Sequence, residues 1–261
     1  MGCFLILGNE ERQKQLFRIL CSKGQTVTFC ESWLEGNYDA VLLPAAQTAK
    51  YFEQIADKLQ AGQYVFGCNF PQELMARKKR EGIFFVDYMK EEGAAYINAV
   101  ATAEGALAEA ILAGKEVLAG KEMLVLGYGR GGQILAGRLA ALGGIVTVYE
   151  KDQERVAQAV ANNLRAVSAR AEYGADFWGR FTYFFNTVPA PVLDEKKLSK
   201  VRRSAVIIDI ASAPGGVDKR YCERHNLNAK LCGGLPAKYA PVSAAGLLVS
   251  VIESNLKEVL S

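Results

Sequence analysis

The sequence predicts an α/β protein made of two doubly wound domains. Three observations lead there. Short apolar runs of strand length alternate with amphipathic helical stretches along residues 1–95, an alanine-rich helical stretch interrupts them, and a second alternating series starts at Lys121. Strand–helix alternation with short connections favours parallel sheets covered by helices on both faces. At 261 residues the chain has room for two such domains.

In chain order, strands are expected near 3–7, 25–30, 39–43, 63–67 and 83–87, with helices over 11–20 and 51–59. From Ala94 to Leu112, Ala99, Ala103, Ala106, Leu107, Ala110 and Ile111 fall on related helical faces, which suits a linker helix. Gly114 and Gly120 bracket its end. The last segment, Pro241 to Leu260, repeats apolar residues at three- and four-residue steps, and Pro241 suits a first helical turn. A terminal helix of that kind is expected to return to the first domain. The expected division is therefore residues 1–95 plus the helix 242–261 as a flavodoxin-like substrate domain, and 96–241 as the second domain, linked by long helices.

Half the residues are hydrophobic and 23% are charged, the balance of a folded globular chain rather than a disordered one. A formal charge of +3 is too small to point to nucleic acid. The basic run Arg77-Lys78-Lys79-Arg80 reads as the solvated end of a helix. Apolar runs are too short to span a membrane. The chain begins in Cys3-Phe4-Leu5-Ile6-Leu7 without a basic and apolar leader pattern, so a cytoplasmic location is expected. Six cysteines at 3, 21, 30, 68, 222 and 232 form no C-x-x-C pair and read as small buried hydrophobes. With His225 as the single histidine, no metal site is expected.

The chemistry concentrates after Met123-Leu124-Val125-Leu126. That run enters Gly127-Tyr128-Gly129-Arg130-Gly131-Gly132, and a helical stretch from Gln133 to Leu142 follows. In such a loop the first glycine permits the tight turn, the second admits a pyrophosphate to the backbone, and the third lets helix pack on strand. The helix N-terminus then offers free N–H groups to phosphate. A second strand, Ile145 to Tyr149, ends in Glu150, about 20 residues on, where a carboxylate holds the adenosine ribose. Together these elements predict a Rossmann domain binding NAD(P). Glu150 favours NAD by repelling a 2′-phosphate, while Lys151 and Arg155 are cations that could meet one. Arg130 is placed to reach the pyrophosphate.

Several segments resemble the A subunit of dipicolinate synthase, a family related in fold to the D-2-hydroxyacid dehydrogenases. They are Thr102-Ala103-Glu104-Gly105, the glycine loop, Phe185-Asn186-Thr187-Val188-Pro189, Ile208 to Asp218 with its Ser212-Ala213-Pro214-Gly215-Gly216 core, and Gly233 to Pro241. The resemblance covers the second domain. It implies an oxidoreductase that passes hydride from dihydrodipicolinate, or a related heterocyclic dicarboxylate, to NAD(P). It also implies a partner, the flavoprotein-like B subunit, the mother cell of a spore former as location, and a homo-oligomer. In the first domain, Ala45-Ala46-Gln47-Thr48 stands where the family has a longer loop. The dehydrogenases' Arg–Glu–His set is not matched: His225 reads as a polar helix end, and Pro236-Ala237-Lys238-Tyr239 stands where their histidine does.

The cofactor-binding set is thus Gly127, Gly129, Arg130, Gly131, Gly132, Glu150 and Lys151, with Thr187, Val188 and Pro189 against the nicotinamide ribose, and Asp209 and Ala211 from the Ile208–Asp218 segment. Substrate is expected at Thr102 on the linker helix and at Ser212, Pro214, Gly215 and Lys238, with Ser212 and Lys238 on loops at the carboxyl edge of the sheet. Lys238, Glu104 and Ser212 are the catalytic candidates. Lys238 reads equally as an exposed loop lysine, and Ser212 as a turn cap. Glu104 has three readings: ligand, base, or ion-pair partner. A dinucleotide-binding subunit without turnover, or a related dehydrogenase of other specificity, is the alternative to dipicolinate synthesis.

Overall fold

The computed structural model describes residues 2–256 and divides into two compact units, one reaching Asn98 and resuming at Pro236, the other Ala99–Leu235. Both are parallel-sheet α/β units. The first holds β1 (Cys3–Leu7), α1 (Glu11–Ser22), β2 (Thr26–Cys30), β3 (Ala40–Leu42), α2 (Thr48–Ile55), β4 (Tyr64–Gly67), α3 (Gln72–Arg80) and β5 (Phe84–Asp87). The helix α4 (Glu92–Gly114) carries the chain into the second unit.

There follow β6 (Glu122–Leu126), α5 (Arg130–Ala141), β7 (Ile145–Glu150), α6 (Gln153–Ala161), β8 (Arg165–Ser168), α7 (Ala175–Gly179), β9 (Tyr183–Asn186), α8 (Glu195–Leu198), β10 (Val206–Asp209), α9 (Lys219–Arg224) and β11 (Asn228–Leu231). The short α10 (Leu235–Tyr239) and then α11 (Pro241–Asn255) return the chain to the first unit.

The first sheet runs β2-β1-β3-β4-β5 and the second β11-β10-β9-β6-β7-β8. These are the two common doubly wound orders, and each reverses direction once, beside β1 and beside β6. The strands at those reversals, and their inner neighbours, are apolar on both faces: Phe4 to Leu7, Met123 to Leu126 and Val206 to Ile208 are buried. Continuous apolar runs of this kind are what a sheet covered on both sides requires.

In the first unit one side of the sheet is closed by α1 and α11. Leu16 and Leu20 meet Leu248, Val251 and Ile252 over Phe4, Ile6 and Leu42. The terminal helix is therefore part of the first unit's core. The expected helix ran to Leu260, and its part beyond Leu256 lies outside the described residues.

Two sequence expectations are corrected by burial. Lys78 is not solvated: α3 turns it inward, where its Nζ meets Asp57 Oδ1 at 3.1 Å and Glu81 Oε2 at 2.8 Å. Of the cysteines, only Cys68, Cys222 and Cys232 are buried; Cys21 is exposed on the outer face of α1, and Cys3 and Cys30 are intermediate. His225 caps the end of α9, as its sequence suggests, with its ring stacked on Tyr221. Among the described residues no helix is long and apolar enough to cross a membrane.

The packing of α11 makes a measurable claim. Leu248→Ala removes a buried side chain from the α1–α11 seam and is expected to cost about 2–5 kcal/mol. Urea unfolding of the full chain measures it. A loss under about 1 kcal/mol would mean the seam is loosely packed.

Candidate functional site

The glycine loop sits where the second sheet reverses, at the carboxyl end of β6. Gly127 has φ +92°, and a side chain there would lie 2.5 Å from Thr187 Oγ1. A side chain on Gly132 would lie 2.2 Å from the Gly127 carbonyl, so α5 approaches β6 only through glycine. Gly131 has nothing within 4 Å of a Cβ position, which leaves its backbone open to a ligand. The first turn of α5 has no side-chain cap, and its amides have no helical acceptor. That is a phosphate cradle.

A cavity of about 370 Å³ lies over this cradle. Its wall comprises the glycine loop with Arg130, then Tyr149, Glu150, Lys151 and Arg155 on the β7 side, and Thr187, Val188, Pro189 and Val192 opposite. The donor set fits a dinucleotide: amides for phosphates, a carboxylate for ribose hydroxyls, and apolar walls for rings.

Glu150 does more than the sequence shows. It is only 6% exposed. Its Oε2 accepts from the Tyr128 amide at 2.7 Å, and its Oε1 accepts from the amides of Lys151 at 2.7 Å and Asp152 at 3.0 Å. Three of about four acceptor positions are occupied, so it ties the end of β7 to the glycine loop and has capacity for one further hydroxyl in this conformation. The expected pair of ribose contacts therefore needs the side chain to turn.

Asp209 and Ala211, expected on the cofactor, are instead inside the loops. Asp209 Oδ1 accepts from Asn186 Nδ2 at 2.7 Å and from the Ala211 amide at 3.1 Å. Its Oδ2 accepts from the amides of Gly216 at 2.9 Å and Val217 at 3.2 Å. Asn186 in turn clasps Val188 through both backbone groups, at 3.0 Å each. Asn186 and Asp209 are register partners on β9 and β10, a pairing that sequence spacing does not display. Thr187 closes the wall by donating from its amide and its hydroxyl to the Leu126 carbonyl, at 3.0 and 2.9 Å.

Residues 123–174 match the TrkA-N domain family. The dipicolinate synthase A subunit of Bacillus subtilis (strain 168) is 30% identical over 188 residues, 72% of this chain; the chain spans 62% of that relative's length. The crystal structure of the dipicolinate synthase A subunit from Bacillus halodurans superposes with a TM-score of 0.85 at 25% identity, covering 98% of both chains. The chain is thus similar to the dipicolinate synthase A subunit, in sequence over most of its own length and in fold throughout. A transhydrogenase from Sinorhizobium meliloti shares the fold, with a TM-score of 0.66 at 14% identity over 97% of this chain and 94% of the other.

The remaining candidates are spread over the units. Glu104 is exposed on α4 and its Oε1 pairs with Arg138 Nη2 at 3.0 Å, the ion-pair arrangement among its three readings. Thr102 is half-buried on the same helix. Ser212 and Pro214 are exposed on the loop after β10, where the Ser212 carbonyl accepts from the Gly215 amide at 2.9 Å. Gly215 is buried with φ +84° beneath Asp209. Lys238 lies on the short helix α10 rather than on a loop, its Nζ 4.9 Å from the Tyr239 ring centroid, in the first unit. Among the described residues, no group of three or more His, Cys, Asp or Glu is arranged as a metal site. Sequence reasoning missed Asn186, Tyr149 and Val192 as parts of the site. A polar residue closing a strand of aromatics was the one available signal, for Asn186.

Asp209→Asn tests the inner network. All four partners of the carboxylate are donors, so the new amide must face two of them. The expected cost is about 3 kcal/mol or more, from two lost bonds to a charged acceptor. Chemical denaturation measures that cost, and calorimetry should show weaker NAD binding because Thr187 to Pro189 lose their anchor. Unchanged stability would mean the network contributes nothing net.

Proposed function

We propose that the chain oxidises dihydrodipicolinate, or a closely related heterocyclic dicarboxylate, with a nicotinamide dinucleotide as hydride acceptor, and that it works with a B-type flavoprotein subunit in the mother cell of a spore-forming bacterium. The observation that carries the reading is the glycine cradle beneath the cavity, joined to relatives bearing the dipicolinate synthase name. A homo-oligomer and a cytoplasmic location go with it.

The chain's residues divide the work. The open amide face at Gly131 and the start of α5 hold the pyrophosphate. Glu150 meets the adenosine ribose, and Thr187 to Pro189 form the wall beside the nicotinamide ribose. When bound, the nicotinamide accepts the hydride. The substrate loses that hydride from one ring carbon and a proton from a neighbouring position, and pyridine aromaticity drives both losses. Such a reaction asks the protein chiefly for positioning, which suits a chain whose histidine stands away from the site at the end of α9. Lys238, with its mobile charged stem, is the residue assigned to a substrate carboxylate. The direct test is reduced-nicotinamide absorbance on mixing the chain, NAD and dihydrodipicolinate, alone and with a B-type subunit. Dinucleotide binding with no absorbance change in either mixture would make the chain a binding subunit without turnover.

Cofactor choice follows from Glu150. NAD is expected to bind more tightly than NADP, because a carboxylate lining the cavity repels a 2′-phosphate. Glu150→Ala should weaken NAD, narrowing or reversing the gap as Lys151 and Arg155 become the dominant charges. Calorimetry with both dinucleotides measures it, and tighter NADP binding by the unmodified chain would overturn the preference.

Lys238→Met keeps the stem and removes the charge. It is expected to weaken pyridine dicarboxylate binding by about 10-fold or more, the equivalent of one charge-assisted contact. NAD affinity should be unchanged. Equal loss of both ligands would mark a folding defect, and loss of neither would place Lys238 outside the substrate site.

A further inference from the structure

The first unit carries an anomaly of its own at the carboxyl edge of its sheet. Helix α1 presents Gln13, Leu16 and Leu20 to the core at helical spacing, with Arg12 beside them, so the inward stripe that is apolar along the helix turns polar in its first turn. Gln13 is fully buried, and neither its Nε2 nor its Oε1 has a hydrogen-bond partner. Arg12 is 5% exposed, and its Nε is likewise unpaired. Its ion pair is a long one, Nη2 to Glu10 Oε2 at 3.4 Å, which leaves the guanidinium fork half used. The Tyr88 hydroxyl, just beyond β5, is buried and unpaired too.

Arg12 and Gln13 lie in the first turn of α1, the helix that follows β1 at the reversal of the sheet, where doubly wound folds bind ligands. Buried polar groups are nearly always paired, and a buried guanidinium strongly so. Replacing them with apolar side chains would be the cheaper core. Arg12 is the cation of this group, with Cys68, Tyr88 and the acids Glu10 and Asp87 around it. Burial pushes the Cys68 thiol up to about 12 and Tyr88 well above its ordinary value, while Arg12 draws both down, so both stay neutral beside the cation. Asp87 is engaged by the amides of Met89 at 2.9 Å and Asn69 at 3.3 Å. The rim is open at Asn9 and Gln47, and Gln47 Nε2 reaches Glu10 Oε1 at 3.4 Å.

We propose that this edge of the first unit is a carboxylate-binding site, with Arg12 as its cation and the Gln13 amide as its neutral donor. The proposal rests on the dicarboxylate reading above, to which it assigns a recognition group outside the glycine-loop unit. Glu10 holds the guanidinium in the meantime, its carboxylate standing in for the ligand's.

The test uses the full chain, calorimetry and thermal melting, with pyridine-2,6-dicarboxylate and glutarate as probes. Gln13→Leu removes an unpaired buried amide and should raise the melting temperature. Gln13→Leu and Arg12→Gln should each weaken pyridine-2,6-dicarboxylate binding by about 10-fold or more, leaving NAD affinity unchanged. Parent-like dicarboxylate binding by both variants overturns the site and leaves the proposed function standing. Glutarate binding that Arg12→Gln abolishes, with no binding of the pyridine compound by the parent, supports the site and overturns the function. Binding of neither probe by the parent overturns both. A Gln13→Leu chain that melts lower than its parent makes Gln13 a structural donor and overturns its role.

Discussion

The second unit depends on one carboxylate turned onto the donors of its own loops. Asp209 ends β10 with both oxygens filled by donors, three from the loop that follows it and one from the side chain of its neighbour across the sheet. Hydrogen bonds to a charged acceptor contribute about 1.5–3 kcal/mol each, more than most loop contacts. The bonds decide the course of two loops together. Asn186, held by Asp209, fixes Val188; Gly216, held by Asp209, accepts from the amides of Val192 and Leu193. A Cβ on Gly216 would come within 2.6 Å of Asn186 Nδ2 and closer still to the Val188 carbonyl, so the two loops interlock through a glycine. The wall of the cavity, Thr187 to Pro189, is the outer surface of this assembly. The glycine loop then closes against Thr187 and Val188, within reach of any side chain at Gly127. The cradle is therefore positioned from behind, by a network buried beneath the ligand's wall.

Glu150 applies the same principle from the other side of the cavity. By accepting from the amide of Tyr128 it draws the end of β7 onto the glycine loop, and the amides of Lys151 and Asp152 fix its other oxygen. The residue proposed to read the cofactor's ribose is thus also a brace of the loop that would hold the phosphates. A substitution there changes two things at once, and its effect on NAD affinity combines a lost contact with a loosened turn.

How much of this was legible in the sequence depends on the range of the interaction. The glycine loop, the strand before it and the acid after the next strand are local, and each departs from average composition in a way that backbone geometry demands. The two parallel sheets follow from the alternation of apolar runs with helical stretches. The Asn186–Asp209 pair was not legible, because residues 23 apart become neighbours only through the register of β9 with β10. Asp209 was read as a ligand group since a lone acid at a strand end looks the same whether it faces inward or outward. Lys78 failed for a related reason. A run of four basic residues fixes no helical phase, and one member of any such run on a packed helix points inward, here onto Asp57 and Glu81. The partner of Glu104, Arg138, was not legible either, because it comes from the next helix, α5.

Buried polar atoms without partners occur in both units, but the groups behind the cavity and those at the start of α1 are treated differently. Around the cavity Glu150, Asp209 and the amide of Asn186 are satisfied many times over, as befits groups whose task is to hold loops still. In the first unit, Arg12 and Gln13 interrupt an apolar stripe and are left short of partners, although a leucine at position 13 would complete the stripe begun by Leu16 and Leu20. Local rules of pattern and pairing agree nearly everywhere else in this core. The place where they conflict lies at the sheet edge that doubly wound folds use for ligands, which is the ground for the carboxylate site proposed there. The over-determined network behind the cavity suits a cofactor common to many enzymes, while the under-satisfied edge proposed as a carboxylate site suits the part of the reaction that distinguishes one substrate from another.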